Sequence, residues 1–164
     1  MESLKLLLED EAATDALGAC IAPLLVPGMV IFLRGDLGAG KTSLARAMLR
    51  ALGFEGKVKS PTYTLLELYT VSSLHLYHFD FYRFHDPREW AEAGFRDHFN
   101  ADNICLVEWP EKAEGFLPVA DLTLHLQIHG AGRKAEITAG SEQGHQCLLQ
   151  LAKHYDGSLP HLES

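Results

Sequence analysis

The chain has no excess of basic residues: 14 lysines and arginines stand against 22 aspartates and glutamates in 164 residues, a formal net charge of −8. A protein whose main work is gripping bare nucleic acid needs surplus Lys and Arg to neutralise phosphates, so that class is disfavoured. Work on an RNA pathway through a partner protein stays open. Cysteine is scarce as well. Cys20, Cys105 and Cys147 are odd in number, far apart and in no CxxC spacing. They read as reduced, mostly buried thiols in a cytosolic protein. The stretch MESLKLLLEDE lacks the basic start and small-residue cleavage site of a secretory signal. No apolar run approaches the length that spans a bilayer. A cytoplasmic protein with no membrane contact is therefore expected. Repeats, long linkers and low-complexity blocks are also missing. With 47% apolar residues, residues 1–156 are expected to form one domain, and GSLPHLES, residues 157–164, a mobile tail.

What is present is an alternation of strand-like and helix-like segments. Residues 11–22 have helical composition with one apolar face, ended by Pro23 and Pro27-Gly28. MVIFLR, 29–34, is a short apolar run that fits a strand buried on both faces. Residues 41–53 place Leu44, Ala45, Met48, Leu49 and Leu52 at helical spacing, with Gly53 at the stop. TYTLLELYT, 62–70, and LHLYHFD, 74–80, predict a hairpin. Residues 86–99 read as helical or irregular, and ICLVEW, 104–109, as another buried strand. LTLHLQIH, 122–129, alternates strictly, with Leu122, Leu124, Leu126 and Ile128 on one side. GAG then turns into RKAEIT, 133–138, giving an antiparallel pair with one buried face. Residues 141–155 predict a closing helix. Together these segments predict a three-layer α/β domain with a mixed sheet.

Between the 29–34 strand and the 41–53 helix lies GDLGAGKT, residues 35–42, which fulfils GxxxxGK[ST]. Each residue type has a reason. Glycines let successive backbone N–H groups turn inward, where a Cβ would obstruct an oxyanion. Lys41 can extend to the β and γ phosphates of a nucleotide, and the Thr42 hydroxyl can bind Mg²⁺. The following helix points its positive end at the phosphates. An ordinary βα turn is the bland alternative, and the strand–loop–helix setting argues against it. Gly38 makes this the GxxGxGKT version, which small-molecule kinases also carry.

Such a site needs an acid at the carboxyl end of a neighbouring strand. Asp80 ends one apolar strand and Glu108 another. One would hold the metal and the other orient or deprotonate water; spacing does not assign the roles. Ser60, Thr62 and Thr64 offer hydroxyls where nucleotide switches place one. Arg83 suits either transition-state charge or a surface ion pair. Trp109 suits either a strand-end core position or a moving loop. The nine histidines suggest no metal site: His75 and His78 face opposite sides of a strand, and His125 and His129 lie roughly 13 Å apart. No NKxD loop reads guanine, which leaves ATP by elimination.

In order along the chain, GDLGAGKTSLARAMLRALG, SPTYTLLELY, LYHFDFYR, ICLVEWPEKAEGFLP and GAGRKAEIT closely resemble the TsaE family, small bacterial ATPases of tRNA threonylcarbamoyladenosine synthesis. The resemblance spans about residues 5–140. It implies a P-loop ATPase fold, a central parallel sheet flanked by antiparallel strands. Gly38, Ala39, Gly40, Lys41, Thr42 and Ser43 would wrap the phosphates of ATP or ADP, and Thr42 and Glu108 would bind Mg²⁺. Asp80 matches the family's Walker B acid, Thr62 its switch-like threonine and Trp109 the tryptophan beside the metal acid. Arg133 and Thr14 would flank the base. The family also implies partners, homologues of TsaB and TsaD, which stimulate a weak ATPase and handle the tRNA, so that hydrolysis works as a switch. A small-molecule P-loop kinase is the alternative, although no acceptor pocket or lid is visible.

Overall fold

A computed structural model describes residues 3–155 and 162–163. The order of elements is β1 (Ser3–Leu8), α1 (Glu11–Ile21), β2 (Val30–Arg34), α2 (Lys41–Leu52), β3 (Leu66–Val71), β4 (Leu74–Asp80), α3 (Arg88–Glu92), β5 (Asn103–Glu108), β6 (Leu122–His129), β7 (Gly132–Ala139), α4 (Glu142–Tyr155) and β8 (Leu162–Glu163). Short 3-10 turns join several of them.

The strands form one sheet in the order β3-β4-β5-β2-β6-β7-β1-β8. β4, β5, β2 and β6 run parallel to one another, while β3 pairs antiparallel with β4 on one side and β7 with β6 and β1 on the other. This is the expected mixed sheet with a parallel core and antiparallel flanks. The tail expected at 157–164 lies outside the described residues, apart from the two-residue β8 beside Lys5 and Leu6.

Local chemistry sets the helices. Asp10 caps α1 by accepting from the N–H of Ala13 at 2.9 Å, and Thr14, Leu17, Gly18 and Ile21 form its buried stripe. α2 stops at Gly53, φ +104, where the N–H groups of Gly53 and Phe54 donate to the carbonyls of Arg50 and Leu49. Helices α1, α2 and α4 cover one face of the sheet: Leu17, Ile21, Leu44, Met48, Leu148 and Leu151 pack on Leu4, Leu6, Ile31, Leu33, Leu106 and Leu124. The other face carries a smaller aromatic core of Phe79, Phe81, Phe84, Trp90 and Val107. That second layer covers only the β4-β5-β2 half, and Lys5, His125 and Gln127 on the remaining strands face solvent.

One strand was not foreseen and two local readings need correction. Ser3–Leu8 is a strand, paired along its length with β7; its run of leucines hides the alternation of buried Leu4, Leu6 and Leu8. Residues 62–65 form turns rather than the start of a strand, and Leu65 takes φ +67, so β3 begins at Leu66. Ile128 follows the inward parity of β6 but is 58% exposed, because the covering layer ends before it. Among the described residues no helix is long and apolar enough to cross a membrane.

Candidate functional site

β2, β4 and β5 run parallel, so their carboxyl ends finish at one edge of the sheet, where open α/β folds bind ligands. The glycine-rich loop leaves β2 at that edge and opens into α2. Gly38 and Gly40 take φ +80 and +102, a left-handed conformation in which a side chain is strained. The Ala39 N–H is spent on the Asp36 carbonyl. The first-turn amides of α2, from Lys41 onward, have no partner within the helix, and its positive end faces the loop. That suits an anion.

The Lys41 ammonium lies inside this bend, only 5% exposed. It donates to the carbonyl of Gly35 and, at 3.1 Å, to that of Asp36. The Trp109 ring lies over it, 4.2 Å from ammonium to centroid. Burial lowers the Lys41 pKa, while Glu108, Asp80, Glu111 and Asp36 pull it back up. Anionic phosphate would act in the same direction as those carboxylates.

The two acids occupy neighbouring positions. Asp80 and Glu108 are directly opposed in the parallel ladder of β4 and β5 and are 4% and 3% exposed. The Thr42 hydroxyl, in the first turn of α2, lies 3.0 and 3.2 Å from the two Glu108 oxygens. Asp80 accepts from the N–H of Tyr82 at 2.9 Å and from the Thr62 hydroxyl at 3.2 Å. Burial is the main cause that raises the Asp80 pKa, with Glu108 adding to it and the Tyr82, Thr62 and His78 interactions opposing it. Among the described residues no three of His, Cys, Asp and Glu are grouped to hold an ion alone. Mg²⁺ does not need such a cage: one or two protein oxygens plus substrate phosphates suffice. The hard oxygens of Thr42 and Glu108 beside an anion-holding loop fit that donor set.

Of the three hydroxyls expected near the phosphates, Thr62 is the one that reaches a site acid, Asp80. Ser60 bonds Thr62 at 2.8 Å, and Thr64 turns outward to Glu67. Arg83 also stays outside. Its Nε donates to the Thr62 carbonyl at 3.1 Å and its guanidinium lies on the exposed Tyr63 ring, so it braces the turn that carries Thr62. Trp109 sits at φ +57 just before Pro110 and against Tyr82, with centroids 5.0 Å apart. A residue before proline is pushed toward extended backbone, so this left-handed bend stores strain beside the site.

Two clefts meet here. One, about 250 Å³, is lined by Gly38 to Ser43, Thr62, Asp80, Glu108, Trp109 and Arg133. The other, about 280 Å³, lies between the start of α1 and the β6–β7 turn, with Thr14, Glu11 and Ala131 in its walls. Gly40, Ser43 and Arg133 belong to both. Arg133 points its Nε and Nη2 to the carbonyls of Ala39 and Gly38, at 2.9 and 3.1 Å.

The sequence reading missed His78. It is fully buried, and its Nε2 lies 2.6 Å from Glu108 Oε2. Its parity with Asp80, two residues on, was the available signal.

Fold and site together define the class: an α/β protein with a mixed sheet, a glycine-rich loop between the central strand and α2, and two acids on neighbouring strands. Comparison with known proteins narrows this. The family model described as "Threonylcarbamoyl adenosine biosynthesis protein TsaE" matches residues 8–136. The chain is 44% identical over 149 residues to the tRNA threonylcarbamoyladenosine biosynthesis protein TsaE of Haemophilus influenzae, covering 88% of this chain and 94% of that one. With the TsaE protein of Bacillus subtilis it shares 34% identity over 155 residues, covering 94% and 97%. The crystal structure of Bacillus subtilis YdiB superposes with a TM-score of 0.80 at 29% identity, covering 93% of this chain and 96% of that chain. The chain belongs to the TsaE family, whose members are involved in tRNA threonylcarbamoyladenosine biosynthesis.

Proposed function

We propose that this protein is the Mg²⁺-dependent ATP-binding and ATP-hydrolysing subunit of the cytoplasmic machinery that makes tRNA threonylcarbamoyladenosine, acting as a nucleotide switch on homologues of TsaB and TsaD. The observation that carries the reading is the convergence of Lys41, Thr42, Asp80 and Glu108, from three separate elements, on one glycine-rich loop. The loop amides and Lys41 grip the triphosphate. Thr42 and Glu108 hold Mg²⁺, which when bound neutralises charge on the phosphates. Asp80 accepts a hydrogen bond from water and orients it, and its raised pKa makes it a better proton acceptor than an ordinary aspartate. Thr62, bonded to Asp80, reports the state of the site to the exposed turn around Tyr63 and Arg83. Thr14 and Arg133 flank the base. With a net charge of −8, contact with tRNA runs through the partners.

Turnover of ATP by the purified chain, alone and with the TsaB and TsaD homologues, tests this. Slow turnover that rises with the partners is expected, and Lys41→Ala should weaken nucleotide binding in calorimetry while leaving the fold intact. Stimulation by a small metabolite instead of the proteins would favour a kinase. ATP affinity unchanged by Lys41→Ala would overturn the site.

A further inference from the structure

Resting on that reading of the site, we propose that His78 is a positioning residue that fixes the Glu108 carboxylate in the orientation needed to hold the metal. Leu76, His78 and Asp80 share the face of β4 that looks toward α2, while Tyr77 and Phe79 point into the aromatic core. In the parallel ladder His78 lies opposite Leu106 and Asp80 opposite Glu108. The imidazole is therefore one row below the acids, at the foot of the Glu108 side chain.

His78 is badly suited to a packing role alone. Its Nδ1 is buried without a hydrogen-bond partner, a cost that an apolar side chain in the same core would not carry. The one polar contact that offsets this cost is the 2.6 Å bond to Glu108 Oε2. The Glu108 carboxylate sets the donor, because an ionised carboxylate only accepts. Facing that carboxylate, Nε2 carries a proton, so His78 donates and Glu108 accepts.

Glu108 needs such a donor. A glutamate has several side-chain torsions and loses rotamer entropy when held in one orientation. The Thr42 hydroxyl cannot hold it alone, because that hydroxyl is itself a metal ligand in the proposed site. His78 engages Oε2, the same oxygen that Thr42 approaches at 3.0 Å, and leaves Oε1 with only the 3.2 Å contact to Thr42. His78 thus occupies Oε2 and does not touch Oε1, which keeps its lone pairs available to a cation beside Thr42. Partners of this kind, which touch a ligand rather than the metal, commonly change metal affinity or activity by about 10–100-fold.

The test is the Mg²⁺ enhancement of nucleotide affinity, the ratio of ATP dissociation constants in EDTA and in Mg²⁺, measured by calorimetry on the whole chain. Three variants are compared with the wild type, and thermal melts confirm folding. His78→Leu removes the donor. His78→Gln keeps an N–H near the position of Nε2. His78→Asn keeps the amide but is one methylene too short. In EDTA all four should bind ATP alike, because the loop and Lys41 grip the phosphates. In Mg²⁺ the enhancement should fall about tenfold in the leucine and asparagine variants and recover to within about threefold of wild type in the glutamine variant. If His78→Leu does not fold, the glutamine and asparagine pair decides. Equal enhancement in all folded variants, or a glutamine variant as impaired as the asparagine one, would overturn the proposal. A wild-type protein in which Mg²⁺ adds nothing to ATP affinity would overturn the site reading as well.

Discussion

The Arg133 guanidinium on β7 donates from Nε to the carbonyl of Ala39, 2.9 Å away and 94 residues earlier in the chain. Nη2 reaches the carbonyl of Gly38 at 3.1 Å, and Nη1 the carbonyl of Gly132 at 2.7 Å. Two successive loop carbonyls are thus turned outward to one planar cation. Arg133→Gln should leave the fold intact, since the side chain is only half-buried, and weaken ATP binding about tenfold, the loss of one charge-assisted bond of roughly 1.5 kcal/mol. Arg133→Lys should not restore it, because an ammonium cannot serve both carbonyls in a fixed fork. Calorimetric titration with ATP checks both, and wild-type affinity in the lysine variant would mean that charge alone matters.

Asp80 makes the empty protein less stable than it need be. Its folded pKa is raised, chiefly by burial, above the unfolded value of about 3.9. The folded state therefore holds the Asp80 proton more tightly than the unfolded one. As pH rises from the unfolded value through the folded one, this group progressively lowers stability. Asp80→Asn removes the charge, and its amide can still accept from Tyr82 and donate to Thr62. Thermal melts without nucleotide or metal should show a gain at pH 7.5 of about 1 kcal/mol, or ~2–4 °C for a chain of this size. The gain should vanish near pH 4, while ATP turnover is lost. A variant less stable than wild type at pH 7.5 would refute the assignment of strain to this carboxyl.

The legible parts were those carried by short-range pattern. Strict alternation in 122–129 yielded β6 with its bounds, and the 3.6-residue spacing of Leu44, Met48 and Leu49 yielded α2. The loop was legible because phosphate chemistry dictates residue types at fixed spacing. β1 was not, because SLKLLL alternates only if Leu7 is allowed to face outward, and that becomes clear only from its pairing with β7. The turn at 62–65 was obscured by β-forming residues; the left-handed bend at Leu65 depends on packing rather than propensity. Long-range pairs were least legible. His78 meets Glu108 because β4 lies beside β5 in register, and Arg133 meets Ala39 because the β6–β7 hairpin folds back over the loop. Neither follows from the spacing of residues along the chain.

The last prediction concerns the frame that holds β2 in place. Asp121 accepts from the Val30 N–H at 2.8 Å through Oδ2 and from the Ser141 hydroxyl at 2.6 Å through Oδ1. Ser141 in turn accepts from the Gly144 N–H at 3.0 Å, which caps α4. This chain of bonds ties the start of α4 to the start of β2, the strand that delivers the glycine-rich loop. It draws α4 so close that a Cβ at Gly144 would overlap the Asp121 carbonyl oxygen. That oxygen is backbone, also bonded to the Gly140 N–H, and it cannot swing aside. Gly144→Ala should therefore destabilise by about 3 kcal/mol, although alanine is the better helix former. The expected fall in Tm is roughly 6–12 °C. Gln143→Ala, one position earlier on the exposed side, should stay within about 0.5 kcal/mol of wild type. Equal melting of Gly144→Ala and wild type would mean that α4 can lift from Asp121 at no cost, and that the tie to β2 carries no stability.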